Sequence, residues 1–241
     1  FWMALFLAIL ITPIMANIAI RIGAIDLPAH LRRRSEPGLK RNVNSHVHPR
    51  LGGLGMAIAI LLALTILGHI GNVNWGIIVG ILIVIAYGLL DDVKDLKFKY
   101  QLLGQFLAAA AVVLAGITIP SIRFAGVFIN FSLFEQVINL GNLVYTFVFP
   151  ADIITILFIM GMINFVNWMS GMDGLNHFVT AVASFMILLI AIDSGNIFVA
   201  TLIAAHLGGN LGAAIYNYPP AFIFPGAIGE HLNGFLLAVF A

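Results

Sequence analysis

The stretch FWMALFLAILITPIMANIAI, residues 1–20, decides the class of fold because it contains no charged residue. A helix of about 20 apolar residues is long enough to cross the hydrocarbon core of a bilayer. No basic segment precedes the run and no small-residue cleavage site closes it, as a signal peptide would require. The sequence therefore predicts a transmembrane helix here.

The composition of the whole chain agrees with this first run. Hydrophobic residues make up 61% and charged residues 9% of 241 positions, and the mean hydropathy is +1.08. Soluble domains carry about 25% charged residues, so we expect an integral membrane protein with no nucleic-acid partner. The chain has no cysteine, which excludes disulfides and thiolate metal sites.

Further apolar runs predict an all-α, polytopic membrane helix bundle. It has about seven complete transmembrane helices and a truncated eighth, in a single domain over residues 1–241. The opening on Phe1 and the short final run predict a fragment cut inside a helix. Residues 120–149 alternate weakly, as in a small hairpin. The runs lie near 1–20, 51–70, 75–90, 102–119, 153–169, 178–192 and 198–215, with the eighth from 231.

Positive charge marks one side of this bundle. Ten of the eleven basic residues lie around the first loop or in the loop after the third helix, and two helices separate these loops. The positive-inside rule makes their shared side cytoplasmic. The turn SGMDGLN at 170–176 and the loop YNYPPAFIFPGAIGE at 216–230 emerge on the same side, so four polar segments are predicted to converge on the cytoplasmic face of the inner membrane.

The first loop has features that suit a phosphate. In HVHPRLGGLGM, His46, His48 and Arg50 precede a glycine-rich helix start, which puts cations beside free backbone N–H groups. The cluster Arg32–Arg34 is also explained as a simple determinant of topology.

Paired carboxylates follow the third helix in YGLLDDVKDLKFKYQLLGQ. Adjacent Asp91 and Asp92 repel each other unless a cation or a proton intervenes. Oxygen ligands of this kind suit Mg²⁺, and Asp173 could add a carboxylate from another helix. The alternative is a group of solvated loop acids offset by nearby lysines, which fits Asp95 best.

The stretch NFVNWMSGMDGLN, residues 164–176, brings polar groups to the end of the fifth helix. If the helix persists, Asn164, Asn167 and Ser170 share a face directed toward Asp173. Amides facing lipid are costly, so these groups either bind a planar base, orient a carboxylate, or join helices by ordinary amide contacts.

Taken in order, HPRLGGLGM, LLDDVKDLKFKYQLLGQ, NFVNWMSGMDGL and YNYPPAFIFPGAIG resemble one family, the polyprenyl-phosphate N-acetylhexosamine-1-phosphate transferases. That family includes the enzymes that start O-antigen, teichoic acid and N-glycan lipid carriers, and the phospho-N-acetylmuramoyl-pentapeptide transferase of peptidoglycan. The resemblance implies transfer of a sugar-1-phosphate from a UDP-sugar to a polyprenyl phosphate in the membrane, with Mg²⁺ and release of UMP. N-acetylglucosamine is the expected sugar, the muramoyl-pentapeptide the alternative, and a homodimer one arrangement that it permits.

The resemblance also implies roles for residues at matching positions. Asp91 and Asp92 take the catalytic and metal roles with Asp173 at the metal, Asn167, Ser170 and Asp173 line the nucleotide site, and His48 and Arg50 lie beside the carrier phosphate.

Two positions depart from the family pattern. Ser170 replaces an acid, and Ala227 replaces an aspartate that is a metal ligand in the family. A methyl group can neither coordinate an ion nor orient a water, and Glu230, three residues on, is a candidate substitute. A degenerate homologue that binds a lipid carrier or acts as a scaffold is therefore a second hypothesis. A transporter is a third, weakened because only His69 and His206 are ionisable within the predicted spans.

Overall fold

The computed structural model describes residues 1–26, 47–140 and 143–241, and these residues form a bundle of eight helices. The all-α prediction is confirmed. The helices are α1 Trp2–Ile22, α2 Gly52–Ile66, α3 Trp75–Lys94, α4 Phe98–Leu114, α5 Ala151–Trp168, α6 Leu175–Asp193, α7 Ile197–Asn217 and α8 Gly226–Phe240, with a 3-10 turn Ile70–Asn72 between α2 and α3.

The described strands form three antiparallel pairs. They are β1 Ile25–Asp26 with β2 His48–Pro49, β3 Ser121–Phe124 with β4 Val127–Asn130, and β5 Ser132–Leu140 with β6 Leu143–Pro150. The sequence predicted one small hairpin in residues 120–149, whereas the structure has two. They are separated at Phe131, where the Asn130 side chain accepts a hydrogen bond from the Ser132 N–H at 3.0 Å.

Five of the described helices are long and apolar enough to cross a membrane, namely α1, α3, α5, α6 and α7. The chain is an integral membrane protein. Helices α2 and α4 have 15 and 17 residues and so span about 23 and 26 Å, less than the ~30 Å of a bilayer core. The number of helices that cross the membrane stays a prediction.

Two helix starts differ from the sequence prediction. Helix α4 begins at Phe98 rather than near 102, and α8 begins at Gly226 rather than 231. Residues at both starts bond to α3. The Gln101 side chain of α4 bonds Asp91, and the first N–H groups of α8 bond Asp92. A hydropathy pattern places both starts too late because it contains no information on these contacts.

Helix α8 lies in the centre of the bundle. Twelve of its fifteen residues are buried, and it packs against α2, α3, α5, α6 and α7. Glycines permit the closest of these approaches. A Cβ placed on Gly53 of α2 would collide with the backbone of Gly229 and come to 2.7 Å from the Pro225 carbonyl oxygen.

Gly53→Ala is therefore expected to lower the thermal stability of the protein in detergent. Separating α2 from α8 costs about 1–3 kcal/mol, as overpacking of a close contact usually does. The matched control is Gly161→Ala in α5, where a Cβ meets nothing within 4 Å and removal of a helical glycine stabilises by about 0.5–1 kcal/mol. Opposite shifts of the melting temperature are expected, and equal shifts would contradict the packing argument.

Candidate functional site

Residues 221–228, here called the connecting segment, join α7 to α8 and contact the first loop. The Phe224 N–H donates to the Pro49 carbonyl at 2.8 Å, and the Gly52 N–H donates to the Phe224 carbonyl at 3.0 Å. The His48 ring stacks on the Phe224 ring with centroids 4.6 Å apart. The structure thus fixes His48 beside the start of α2. His46 and Arg32–Arg34 lie outside the described residues.

Asp92 binds the connecting segment from the opposite side. Its Oδ1 accepts a hydrogen bond from the Ala227 N–H at 2.8 Å and its Oδ2 accepts a longer one from the Ile228 N–H at 3.4 Å. These N–H groups belong to the first turn of α8, where helical backbone donors lack internal partners and the helix dipole favours a negative charge. Asp92, only 3% exposed, therefore anchors the start of α8.

Arg50 neutralises Asp92. Its Nε lies 3.3 Å from Asp92 Oδ1, and its Nη1 donates to Asp95 Oδ1 at 3.1 Å. Burial by itself lowers the pKa of Arg50, but the carboxylates of Asp92, Asp95 and Glu230 outweigh it, and the pKa is raised above its ordinary value. Arg50 is thus a permanent cation within the site, and it brings the first loop to the end of α3.

Asp173 holds the turn after α5 against the same connecting segment. Its Oδ2 accepts a hydrogen bond from the Ala221 N–H at 3.0 Å. Asn217 strengthens the junction, because its side chain accepts from the Gly174 N–H at 2.9 Å and donates to the Ile223 carbonyl at 3.0 Å. Gly174 has a φ of 77°, a left-handed conformation that glycine adopts without strain.

The four polar segments identified in the sequence therefore meet at one end of the bundle. The first loop, the end of α3 and the turn after α5 all bond to residues 221–228. Separate placement of the Asp92 and Asp173 segments at opposite ends of the bundle is excluded.

Asp91 points away from Asp92. Its Oδ1 accepts hydrogen bonds from the Leu96 N–H at 2.7 Å and the Gln101 side chain at 2.8 Å, so it faces the start of α4. No described residue donates a hydrogen bond to its Oδ2. The two adjacent aspartates thus bond to different helices, and Asp91 keeps one oxygen for a ligand.

The expected shared face of Asn164, Asn167 and Ser170 does not form. Helix α5 ends at Trp168, so Ser170 lies in the following turn. Asn164 instead exchanges hydrogen bonds with Gln105 of α4, the shorter at 2.7 Å. Within the described parts of the chain the Asn167 side chain makes no hydrogen bond, and its nucleotide-binding role stays a prediction.

Glu230 interacts with two of the polar segments, the end of α3 and the turn after α5. Its carboxylate interacts with the Ser170 hydroxyl and lies close enough to Asp91, Asp92 and Arg50 for their charges to act on it. The sequence offered it only as a substitute for the acid missing at Ala227. The structure places it beside Ser170, the other position where an acid was expected.

A buried polar network that the sequence did not predict supports this end of the bundle. The Asn233 side chain of α8 donates to Asn176 Oδ1 at 2.8 Å and to Asn210 Oδ1 at 3.1 Å, and its Oδ1 lies 3.0 Å from His206 Nε2. Asn176 in turn donates to the Ser170 hydroxyl at 2.8 Å. Asparagines at a helix interior were a signal available in the sequence, since polar residues within spans are rarely exposed to lipid.

The buried histidines also differ from the expectation. His69 lies in the loop after α2 rather than inside a span. His206 is buried as expected, and His177 and His231 are buried with it. His177 is hydrogen-bonded to Asn210, and His206 is hydrogen-bonded to Ser184 and Asn233. These contacts are those of satisfied interhelical residues rather than a proton path.

The donor chemistry of the site fits a magnesium ion shared with a substrate. Asp91 and Asp173 each keep one carboxylate oxygen that receives no hydrogen bond from the described residues, whereas both oxygens of Asp92 are engaged. Mg²⁺ usually takes one or two carboxylates and completes its shell with water and phosphate oxygens. Among the described residues no three acidic or histidine side chains come close enough to enclose a metal, so these side chains would supply at most two ligands to one ion.

The sequence of the chain matches one known family. The sequence profile of glycosyl transferase family 4 matches residues 74–241, more than half of the chain. The chain belongs to glycosyl transferase family 4. The matched region contains Asp91, Asp92, Asp173 and the connecting segment, and the resemblance identified in the sequence is confirmed.

Curated relatives align along 79–99% of the chain. A probable undecaprenyl-phosphate N-acetylglucosaminyl 1-phosphate transferase of Bacillus subtilis (strain 168) is 28% identical over 240 residues, covering 99% of this chain and 60% of the relative. A phospho-N-acetylmuramoyl-pentapeptide-transferase of Thermoanaerobacter sp. (strain X514) is 27% identical over 252 residues, covering 97% and 74%. One from Streptococcus thermophilus (strain CNRZ 1066) is 29% identical over 201 residues, covering 79% and 57%. The chain thus spans about 60% of the length of the first of these family 4 relatives.

Proposed function

We propose that this family 4 protein transfers N-acetylglucosamine-1-phosphate from a UDP-sugar to a membrane polyprenyl phosphate and releases UMP. The observation that carries the proposal is the convergence of Asp92, Asp173 and His48 on residues 221–228. The names of the relatives support the two substrates. The loops rich in Lys and Arg support a position of this end at the cytoplasmic face of the inner membrane, where a soluble nucleotide and a lipid phosphate could both reach it.

The proposed roles of the residues follow from their charges. Asp91 and Asp173 would hold Mg²⁺, with Asp91 and Asp92 in the catalytic roles that the family pattern assigns. The ion would neutralise the negative charge of two phosphate groups that otherwise repel each other. Arg50 adds positive charge and His48 a hydrogen-bonding imidazole beside the carrier phosphate. The Gly52 and Gly53 N–H groups at the start of α2 are bonded to the Phe224 and Pro225 carbonyls, so they are not assigned to this phosphate. Asn167 and Ser170 are assigned to the nucleotide.

The direct test is Mg²⁺-dependent release of UMP by the purified protein with undecaprenyl phosphate and UDP-N-acetylglucosamine. Asp91→Asn and Asp173→Asn are each expected to lower turnover by about 10²-fold or more, because each removes a negative ligand. Asp193→Asn is the matched control, since this exposed acid ends α6 at the opposite end of the bundle and should leave turnover unchanged. Undiminished turnover in Asp91→Asn would overturn the assignment.

The donor is tested in the same assay. UDP-N-acetylmuramoyl-pentapeptide is the alternative, because relatives with both activities match the chain. Turnover with this donor alone would replace the proposed substrate. No turnover with either donor would reject the transferase proposal.

A carrier-binding protein without chemistry is the second candidate, and Ala227 favours it. The methyl side chain of Ala227 supplies no ligand, and only its backbone N–H contacts Asp92. Retained binding of polyprenyl phosphate without turnover, together with turnover gained in Ala227→Asp, would support this candidate.

A further inference from the structure

Tyr87 and His231 are buried polar side chains without a hydrogen-bond partner among the described residues. This holds for the Tyr87 hydroxyl and for both ring nitrogens of His231. The two residues are 7% and 1% exposed. Their ring centroids lie 5.3 Å apart with the planes inclined by 36°, so they are neighbours that do not bond each other directly.

The pair lies one helical turn below Asp91. Tyr87 precedes Asp91 by four residues in α3, so both side chains lie on one face of the helix. That face packs on α4, where a Cβ on Gly104 would collide with the Tyr87 ring. Gln101, three residues before Gly104, bonds Asp91. Tyr87 and Asp91 therefore occupy successive levels of the same α3–α4 interface.

Buried polar groups of this kind require partners. An imidazole and a phenol each offer hydrogen-bond donor and acceptor atoms, and leaving them unpaired in an apolar interior is unfavourable. A small ligand with two donors and two acceptors satisfies both side chains at once. Water has this chemistry, and buried waters typically bond two to four protein groups, about three on average.

We propose that Tyr87 and His231 bind an internal water molecule and that this hydrated pair positions the Asp91 carboxylate. The positioning role rests on the proposed transferase function, whereas the water site does not. The water fixes the direction of the Tyr87 hydroxyl, and Tyr87 lies one turn before Asp91 on the same face of α3. Asp91 Oδ1 is already held by Leu96 and Gln101, so the pair below completes the support of this side chain.

The first test is the sign of a stability change in the purified protein. Tyr87→Phe removes only the hydroxyl, and loss of a water-mediated hydrogen bond is expected to lower the melting temperature. Tyr216→Phe is the matched control, because the Tyr216 hydroxyl donates directly to the Ile9 carbonyl at 2.9 Å. A fall of similar size in both variants supports the site. An unchanged or higher melting temperature for Tyr87→Phe overturns it, since removing an unpaired buried hydroxyl is neutral or stabilising.

The second test asks whether the two side chains share one ligand. His231→Leu and the double variant with Tyr87→Phe are measured beside the single variants. A shared water predicts that the double variant loses no more stability than the larger single loss, because either change already releases the ligand. Additive losses contradict a shared site.

The third test concerns positioning. Tyr87→Phe is expected to lower kcat by about 10-fold, as loss of a supporting contact behind a ligand often does, without changing KM for the UDP-sugar. His231→Gln keeps a hydrogen-bonding side chain and should retain more activity than His231→Leu. Unchanged kcat, or a parallel rise in KM, rejects the positioning role. Absence of turnover in the unmodified protein would reject the transferase and the positioning role together, while the two stability tests still decide the water site.

Discussion

Asp92→Asn is expected to lower sugar-phosphate transfer by about 10²-fold or more, the size of effect that a small displacement of a reacting group produces. The same variant should be destabilised by about 1–3 kcal/mol, because it removes the buried negative charge that faces Arg50 and the first N–H groups of α8. The amide oxygen can replace Oδ1, which faces both Arg50 and the Ala227 N–H, but the amide NH2 cannot accept the hydrogen bond from the Ile228 N–H. The contact between the start of α8 and the first loop is therefore weakened, and both effects follow from one lost carboxylate.

Asp95→Asn is the matched control for this variant. Asp95 pairs with the same Arg50 at 3.1 Å, but its side chain is 75% exposed whereas that of Asp92 is fully buried. Exposed ion pairs contribute about 0–1 kcal/mol, so Asp95→Asn should leave stability and turnover nearly unchanged. The comparison uses thermal unfolding and UMP release, both measured for Asp92→Asn and Asp95→Asn. Equal losses would show that the Asp92 anchor is not what holds this end together.

Asn233→Leu is expected to cause the largest loss of stability among changes remote from the proposed substrates. The leucine leaves Asn176 Oδ1 without its donor and His206 Nε2 without its partner. Each buried group left unpaired costs about 1–3 kcal/mol. Because Asn176 bonds Ser170, the turn that carries Asp173 should also lose order, so turnover falls with stability.

The matched control applies the same substitution on the lipid-facing side of α1. The Asn17 side chain is exposed and makes one 3.3 Å bond to the carbonyl four residues earlier. Asn17→Leu replaces an amide facing lipid by an apolar group and is expected to be neutral or stabilising. Melting temperatures in detergent compare the two. A network that contributes nothing would give the two variants the same melting temperature.

The sequence was sufficient to predict the convergence of the four polar segments. Hydropathy gives the order of the helices, and Lys and Arg place two loops on one side. Counting helices onward then brings Asp173 and residues 216–230 to that side. The structure confirms this convergence because Asp92 and Asp173 both bond the connecting segment.

The different hydrogen-bond partners of Asp91 and Asp92 could not be predicted from the sequence. The two residues are adjacent and chemically identical, and only the packing of α4 and α8 distinguishes them. Asp91 turns toward Gln101, whereas Asp92 turns toward Ala227. The same limit applies to Glu230, since its proximity to Ser170 depends on how α8 is rotated within the bundle. Rotation about a helix axis is set by many side-chain contacts at once, and a single sequence does not display them.

The central position of α8 also has a consequence for biogenesis. Translation supplies α1 to α7 first, and these helices leave Asp92, Asn176 and Asn210 facing a slot that lacks its partners until residues 226–240 emerge from the ribosome. Insertion of α8 then satisfies all three in one step, so the candidate site forms only after residues 226–240 have entered the bundle.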